Sequence, residues 1–392
     1  MSASGIATPN LYVHFPFCRR KCAYCALHSS AGSTSAMRAD HVAKAVAAVR
    51  ATQILNSNTP AIKQSNNQTI KQLNTVYFGG GTPALCDLRP FKGLFRDAVE
   101  FTVELHPLDV TDAKLDELKS IGVNRISLGV QSFCDSTLAS MGRLHSSEEA
   151  VRAFRKIRAA GFSNSGLDLI VGWPGDRGSL DSVRRATDLG AVYVSVYTLI
   201  VEPGTPLAVK AMSSEMPSDD AMLDTISEVR GILADAGIVR YEISNYAKPG
   251  FECRHNLAVW RGEDYLGIGP GAHSRVGHER WRVDYEEDGA EWRRADVVSL
   301  DALEDARERA LFSLRLAEGI DLARAADLLS PSSAEPEARR QVEQWMTTLD
   351  SWRSRLDVLA GHGIVRRLSS SRYALTNRGM EVCDAVAAEL PG

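Results

Sequence analysis

No run of about 18 apolar residues occurs anywhere in the 392-residue chain, so nothing in it reads as a membrane-spanning helix. An excess of basic charge is missing too. Lys and Arg number 45 against 49 Asp and Glu, a formal charge of −4, and no overall positive field points to nucleic acid. The opening residues, MSASGIATPN, have neither a basic n-region nor an apolar h-region. They do not read as a secretory signal, and a cytoplasmic location is expected. Cysteine is scarce. There are seven, of which Cys86, Cys134, Cys253 and Cys383 stand singly and read as small core residues. In a reducing compartment the other three, a tight cluster, read as a metal or catalytic site rather than as a disulfide framework. What is present is an ordinary globular balance, 44% hydrophobic and 24% charged. The length suits one large domain plus a smaller one.

The first 250 residues alternate between short β-rich runs and helix-periodic segments. LYVHF (11–15), TVYF (75–78), FTVEL (101–105), RISLGV (125–130), GLDLIV (166–171) and VYVSVYTLI (192–200) read as strands. DAKLDELKSIG, SSEEAVRAFRKIRAAG and SLDSVRRATDLG, among others, read as the helices between them, each with Gly as a stop signal. This pattern implies βαβ units and a parallel sheet, open or closed into a barrel. Residues 56–74, rich in Asn, Gln, Ser and Thr, read as a polar loop inserted between the first helix and the second strand. From about residue 296 the texture becomes helical, with IVRRLSSSRYAL as two short strands around a Ser-rich turn. The expected organisation is therefore 1–295 and 296–392. The second part resembles a winged-helix module, read as a lid or scaffold because no basic recognition helix accompanies it.

Three cysteines remain, Cys18, Cys22 and Cys25, in FPFCRRKCAYC. Zinc would take the three thiolates and a fourth ligand from His14 or His28. Cys22 and Cys25 alone could form a redox dithiol. An iron–sulfur cluster could use all three and keep one iron without a protein ligand, open to a substrate. The spacing leaves these alternatives open and favours the third. Gly79, Gly80 and Gly81 follow the second strand, and ligand sites of parallel sheets lie at the carboxyl ends of strands. Glu104, Gln131 and Asp168 stand at or near other strand ends, and Arg143 follows. A lone carboxylate inside the apolar GLDLIVGWPG is costly without a partner.

Together YVHFPFCRRKCAYC, VYFGGGTP, LGVQSF and GLDLIVGWPG resemble the radical S-adenosylmethionine (SAM) proteins of the anaerobic coproporphyrinogen oxidase type. The resemblance implies a partial (β/α)6 barrel with a C-terminal helical, winged-helix-like domain. It implies a [4Fe–4S] cluster on Cys18, Cys22 and Cys25, with SAM chelating the open iron. By position, Tyr12, Tyr24, Gly80, Gly81, Thr82, Glu104, Gln131, Arg143 and Asp168 would line the SAM site. One electron from the cluster would cleave SAM to methionine and a 5′-deoxyadenosyl radical.

Within this family the oxidases carry a fourth Cys two residues after the third, where this chain has Leu27. The heme-chaperone branch, HemW, lacks that Cys, has a short stretch before the cluster loop and carries an H-N-x-x-Y-W motif. Here RHNLAVW places His255, Asn256 and Trp260. The resemblance makes His255 a heme ligand, although a His hydrogen-bonded to a neighbouring backbone is the blander reading; His273 is a weaker candidate, nearer the expected SAM site. The implied function is a heme chaperone that hands heme to an acceptor protein, a respiratory one among the candidates. In that branch radical chemistry is auxiliary or absent, and an electron donor serves the cluster. The alternative is oxidative decarboxylation of coproporphyrinogen III. A homodimer is one assembly open to it. Five features depart from the pattern: Val259 replaces the motif Tyr, His106 stands in ELHP, WPGDR lacks a Gln, the Asn/Gln-rich insertion is unusual, and the helix after GGGTP is short.

Overall fold

The computed structural model describes residues 10–58, 73–211, 216–286, 291–329 and 336–390. Its centre is a nine-stranded sheet. Six strands are those read from the sequence: β1 (Asn10–Phe15), β2 (Thr75–Gly80), β3 (Glu100–Leu105), β4 (Arg125–Gln131), β5 (Asn164–Val171) and β6 (Tyr193–Thr198). Three more follow: β7 (Val239–Arg240), β8 (Asn245–Ala247) and β9 (Leu266–Ile268). The order is β9-β1-β2-β3-β4-β5-β6-β8-β7, with β9 to β6 parallel and β8 antiparallel to β6 and to β7. The sheet is a partial barrel, with no pairing among the described residues that joins β7 to β9. β9 is an addition to the six expected strands. It lies outside β1, pairing Leu11 with Leu266.

The strands alternate strictly. Leu11, Val13 and Phe15 join Val76, Phe78, Phe101 and Val103 in the main core. Their neighbours Tyr12, His14, Tyr77, Glu104 and Asp168 face the other way, into cavities. A parallel sheet covered by apolar layers on both faces would read as continuous hydrophobic runs. This one has helices on one face and a polar interior on the other. In-register pairing then gathers the strand ends: His14 stands beside Gly79, Glu104 beside Ser127, and Gly129 beside Asp168.

Between β2 and β3 the chain forms two 3₁₀ turns, Pro83–Leu85 and Arg89–Phe91, in place of an α-helix. Each carries a Pro in its first positions, where a missing N–H does no harm, and the second buries Phe91. The first helix runs from Ser35 to Asn58 and enters the start of the polar segment 56–74; residues 59–72 of that segment lie outside the described residues. Strands His273–Val276, Glu279–Tyr285 and Trp292–Ser299, which periodicity did not reveal, form a separate antiparallel sheet. The described residues between 302 and 390 build a second core around Trp345, Trp352, Leu356 and Tyr373. There the two strands of IVRRLSSSRYAL pair, and Ile320–Asp321 joins them as a third. The single last helix expected over TNRGMEVCDAVAAEL is divided at Val382, which is non-helical with φ −122. No helix among the described residues is long and apolar enough to cross a membrane.

Candidate functional site

The cysteine loop leaves β1 and folds back on itself. Phe17–Cys18 pairs with Ser30–Ala31, and Lys21 Nζ donates to the carbonyls of Leu27 (3.2 Å) and Ser29 (3.3 Å). Backbone bonds from Gly81 to Phe15 O and from Thr82 to Phe17 O, both 2.7 Å, strap the glycine turn to the loop. That turn admits only glycine. Gly80 has φ +104, and a Cβ there would lie 2.5 Å from the His14 ring; one on Gly81 would lie 2.6 Å from Phe17 O. Cys18, Cys22 and Cys25 all line a cavity of about 620 Å³ together with Tyr24, Gly80, Gly81, Thr82, Glu104, Gln131, Arg143 and Asp168. Burial pushes the Cys18 and Cys25 thiols above their ordinary range, so a metal centre must displace their protons.

Among the described residues no three His, Cys, Asp or Glu side chains converge closely enough to hold a single ion. His14, one candidate fourth ligand for zinc, has both ring nitrogens engaged, with the Tyr12 hydroxyl (3.0 Å) and His28 O (2.7 Å). The three thiols line an open cavity rather than a single-ion site.

Two half-buried carboxyls, Glu104 and Asp168, line the same cavity. Burial, and then the neighbouring Asp168, raises Glu104 to about 7. The Tyr77 hydroxyl (2.8 Å) and Gly80 N–H (3.2 Å) donate to it. Asp168 is also raised by burial and accepts from Ser127 Oγ at 2.8 Å. Gln131 sits at a bulge between β4 and β5 with φ +72, a left-handed conformation uncommon outside glycine. Arg143 donates from Nη2 to Gly129 O and from Nη1 to Cys22 Sγ (3.5 Å), while its Nε is buried with no partner. A buried N–H without a partner and two raised carboxyls suit a ligand that carries a carboxylate, an ammonium and hydroxyls. SAM carries all three, so these residues fit it. His106 borders the same cavity, caps the turn Pro107–Asp109 by accepting from Leu108 N, and is held neutral at about 2 by burial.

Tyr12 does not stand with them. It lines a neighbouring cavity of about 920 Å³, shared with His255, Tyr77, Val259, His273 and Tyr285. His273, expected nearer the SAM site, is also here, in a cavity that Lys21 and residues 26–30 of the cysteine loop border as well. Glu104, Tyr197 and Leu27 border both cavities. His255 lies on the short helix Arg254–Trp260, beneath the sheet's polar face. Glu100 accepts from the backbone N–H groups of Arg254 (3.0 Å) and His255 (3.2 Å), satisfying helix-terminal donors that have no intrahelical partner. Burial lowers His255 to about 4, helped by Arg125, so the ring is neutral. It packs 5.3 Å from the Tyr77 ring and 6.4 Å from Tyr12, and its Nδ1 lies 2.8 Å from Thr75 Oγ. The bland expectation, a bond to neighbouring backbone, is not what holds the ring. Val259, one turn on, faces the same cavity. Trp260 points elsewhere, packing edge-on against Phe312 at 6.1 Å under the Arg315 guanidinium. Asn10, Thr75 and Glu100 were not singled out from the sequence. Their only signal there is polarity at strand starts.

The radical SAM superfamily model matches residues 12–179. The chain is 35% identical to the heme chaperone HemW of Haemophilus influenzae over 68% of this chain and 70% of that one. It is 31% identical to the HemW of Mycobacterium tuberculosis over 97% of this chain and 94% of that one. The chain belongs to the HemW family. Coproporphyrinogen III oxidase (HemN) from Escherichia coli has the same fold, with a TM-score of 0.74 at 20% identity over 97% of this chain and 89% of that one. The HemW match of M. tuberculosis and the HemN fold both extend over the C-terminal unit. Membership of the HemW family implies a [4Fe–4S] cluster and SAM, and the first cavity has the donors for both.

Proposed function

We propose that this protein is a cytoplasmic heme chaperone, which binds heme against His255 and passes it to an acceptor protein. What carries the reading is the division of the interior into two cavities. One is lined by the three thiols, the other by a neutral, buried imidazole among aromatic rings. A neutral imidazole is a good ligand for heme iron, and the Tyr12, Tyr77 and Tyr285 side chains offer faces for a macrocycle. Full-length likeness to HemW relatives and Leu27, in place of the fourth Cys of the oxidase, support the same reading.

In the first cavity Cys18, Cys22 and Cys25 would hold a [4Fe–4S] cluster, which, reduced by an external donor, supplies an electron to SAM. Glu104 and Asp168 would accept hydrogen bonds from SAM, Arg143 would pair with its carboxylate, and Gly80 and Gly81 would let the backbone approach it. The organisation that goes with this reading is 1–295 for both sites and 296–392 as a scaffold behind the heme-motif helix.

The test is heme titration of anaerobically reconstituted protein. About one heme per chain is expected, with a Soret band that changes in His255→Ala. Absence of heme binding together with conversion of coproporphyrinogen III to protoporphyrinogen IX would replace the chaperone reading with the oxidase.

A further inference from the structure

The residues behind His255 form a chain whose hydrogen-bond directions are fixed by chemistry. Asn10 Nδ2 faces two acceptors, Glu263 Oε2 at 3.3 Å and the Asp264 carbonyl at 3.1 Å, and a carbonyl oxygen can only accept. The amide is thereby oriented, and its Oδ1 faces Thr75 Oγ at 2.9 Å. An amide oxygen only accepts, so the single hydroxyl hydrogen of Thr75 is committed to Asn10. The second contact of Thr75 Oγ, 2.8 Å from His255 Nδ1, then needs its hydrogen from the ring. A neutral imidazole has one N–H. With that proton on Nδ1, Nε2 carries the lone pair. Asn10, Thr75 and His255 are all buried, so water does not compete for these contacts.

We propose that Asn10 and Thr75 are positioning residues for His255: they hold its ring in the Nδ1–H tautomer and so present a bare Nε2 to the second cavity as the iron-ligating atom. The inference deepens the heme-chaperone reading and rests on it. Metal-ligating histidines characteristically donate the other ring N–H to a fixed acceptor, which sets the tautomer and the ring orientation. Here that acceptor is a hydroxyl, itself locked by an amide on the neighbouring strand.

Two measurements test it. The first uses heme-free, cluster-loaded protein labelled with ¹⁵N-histidine, with the His255 signals identified by their loss in His255→Gln. The nitrogen shifts should show Nδ1 protonated and Nε2 bare; the opposite tautomer overturns the proposal. The second measures heme affinity and the Soret spectrum in Thr75→Val and Thr75→Ser. Loss of the hydroxyl should weaken heme binding about 10- to 100-fold and displace the Soret band. The serine variant, which keeps the hydroxyl, should stay near the parent in both. A folded Thr75→Val protein with unchanged affinity and spectrum overturns the proposal. If it does not fold, the labelling measurement still decides. Should His255→Ala leave heme binding and the Soret band unchanged, His255 is not the ligand and the proposal falls, while the chaperone reading falls only if the parent protein binds no heme.

Discussion

The Tyr77 hydroxyl donates to Glu104 Oε1 at 2.8 Å, and the ring of the same tyrosine lies 5.3 Å from that of His255. One side chain thus touches the carboxylate of the first cavity and the imidazole of the second. It does so because Tyr77 and Glu104 sit on adjacent parallel strands, both on the sheet's polar face.

Glu104 makes stability depend on pH in a defined sense. Its carboxyl is raised from 4.5 to about 7 in the fold, chiefly by burial. The protonated form is the one the fold favours. That contribution is complete below about 4.5, is lost as pH rises towards 7, and is absent above it. In ligand-free protein, Glu104→Gln should gain on the parent between pH 5 and pH 8, by on the order of 3 kcal/mol. Thermal unfolding of both proteins at the two pH values measures this. A difference that stays constant would rule out Glu104 as the titrating group.

Cys22 lines the first cavity and its Sγ accepts from Arg143 Nη1 at 3.5 Å. Cys22→Ala removes one of three thiolates and should abolish stable four-iron binding. Iron and sulfide analysis after anaerobic reconstitution is the measurement. Four irons retained in the variant, or stoichiometric zinc in protein purified without oxygen, contradicts the cluster assignment.

Asp168 is half-buried and accepts from Ser127 Oγ. Removing it by Asp168→Ala should cost SAM about 1.5 to 3 kcal/mol of binding, the range for a hydrogen bond to a charged group. That is roughly a ten- to hundred-fold loss of affinity. Calorimetry on the cluster-loaded protein gives the value, and equal affinities would move SAM away from this carboxylate.

Val259 faces the second cavity, at the position of the tyrosine in the H-N-x-x-Y-W motif that the resemblance implies. Val259→Tyr should strengthen heme binding if the new ring packs on the macrocycle. An aromatic pair is worth about 0.5 to 1.5 kcal/mol beyond its buried area, a gain of roughly two- to twelve-fold. Heme titration followed at the Soret band compares the two. Weaker binding would mean that the ring obstructs the cavity.

Much of the site was legible because its signals are local. The three cysteines lie within eight residues, and their spacing alone makes one loop present three thiols. GGGTP announces a turn that no side chain could fill, and Gly80 at φ +104 is that turn. The strand and helix alternation of residues 11–200 follows hydrophobic periods of two and 3.6, which act over a few residues and survive into the fold. Glu104, Gln131, Arg143 and Asp168 share a cavity because parallel pairing brings their strand ends together.

What the sequence determined by itself is therefore the cysteine loop, the glycine turn, the six parallel strands and the family motifs. Tertiary structure decided the rest. It moved Tyr12 from the SAM residues to the His255 cavity, set β9 outside β1, and added the sheet at 273–299. It split RHNLAVW, sending His255 inward and Trp260 towards the C-terminal unit. It also joined Asn10 to Thr75, Thr75 to His255, and Glu100 to Arg254, across 65, 180 and 154 residues. No local pattern encodes such bonds. A buried hydroxyl, amide or carboxylate is stable only when a partner reaches it, and which partner does so depends on how strands distant in sequence are placed side by side.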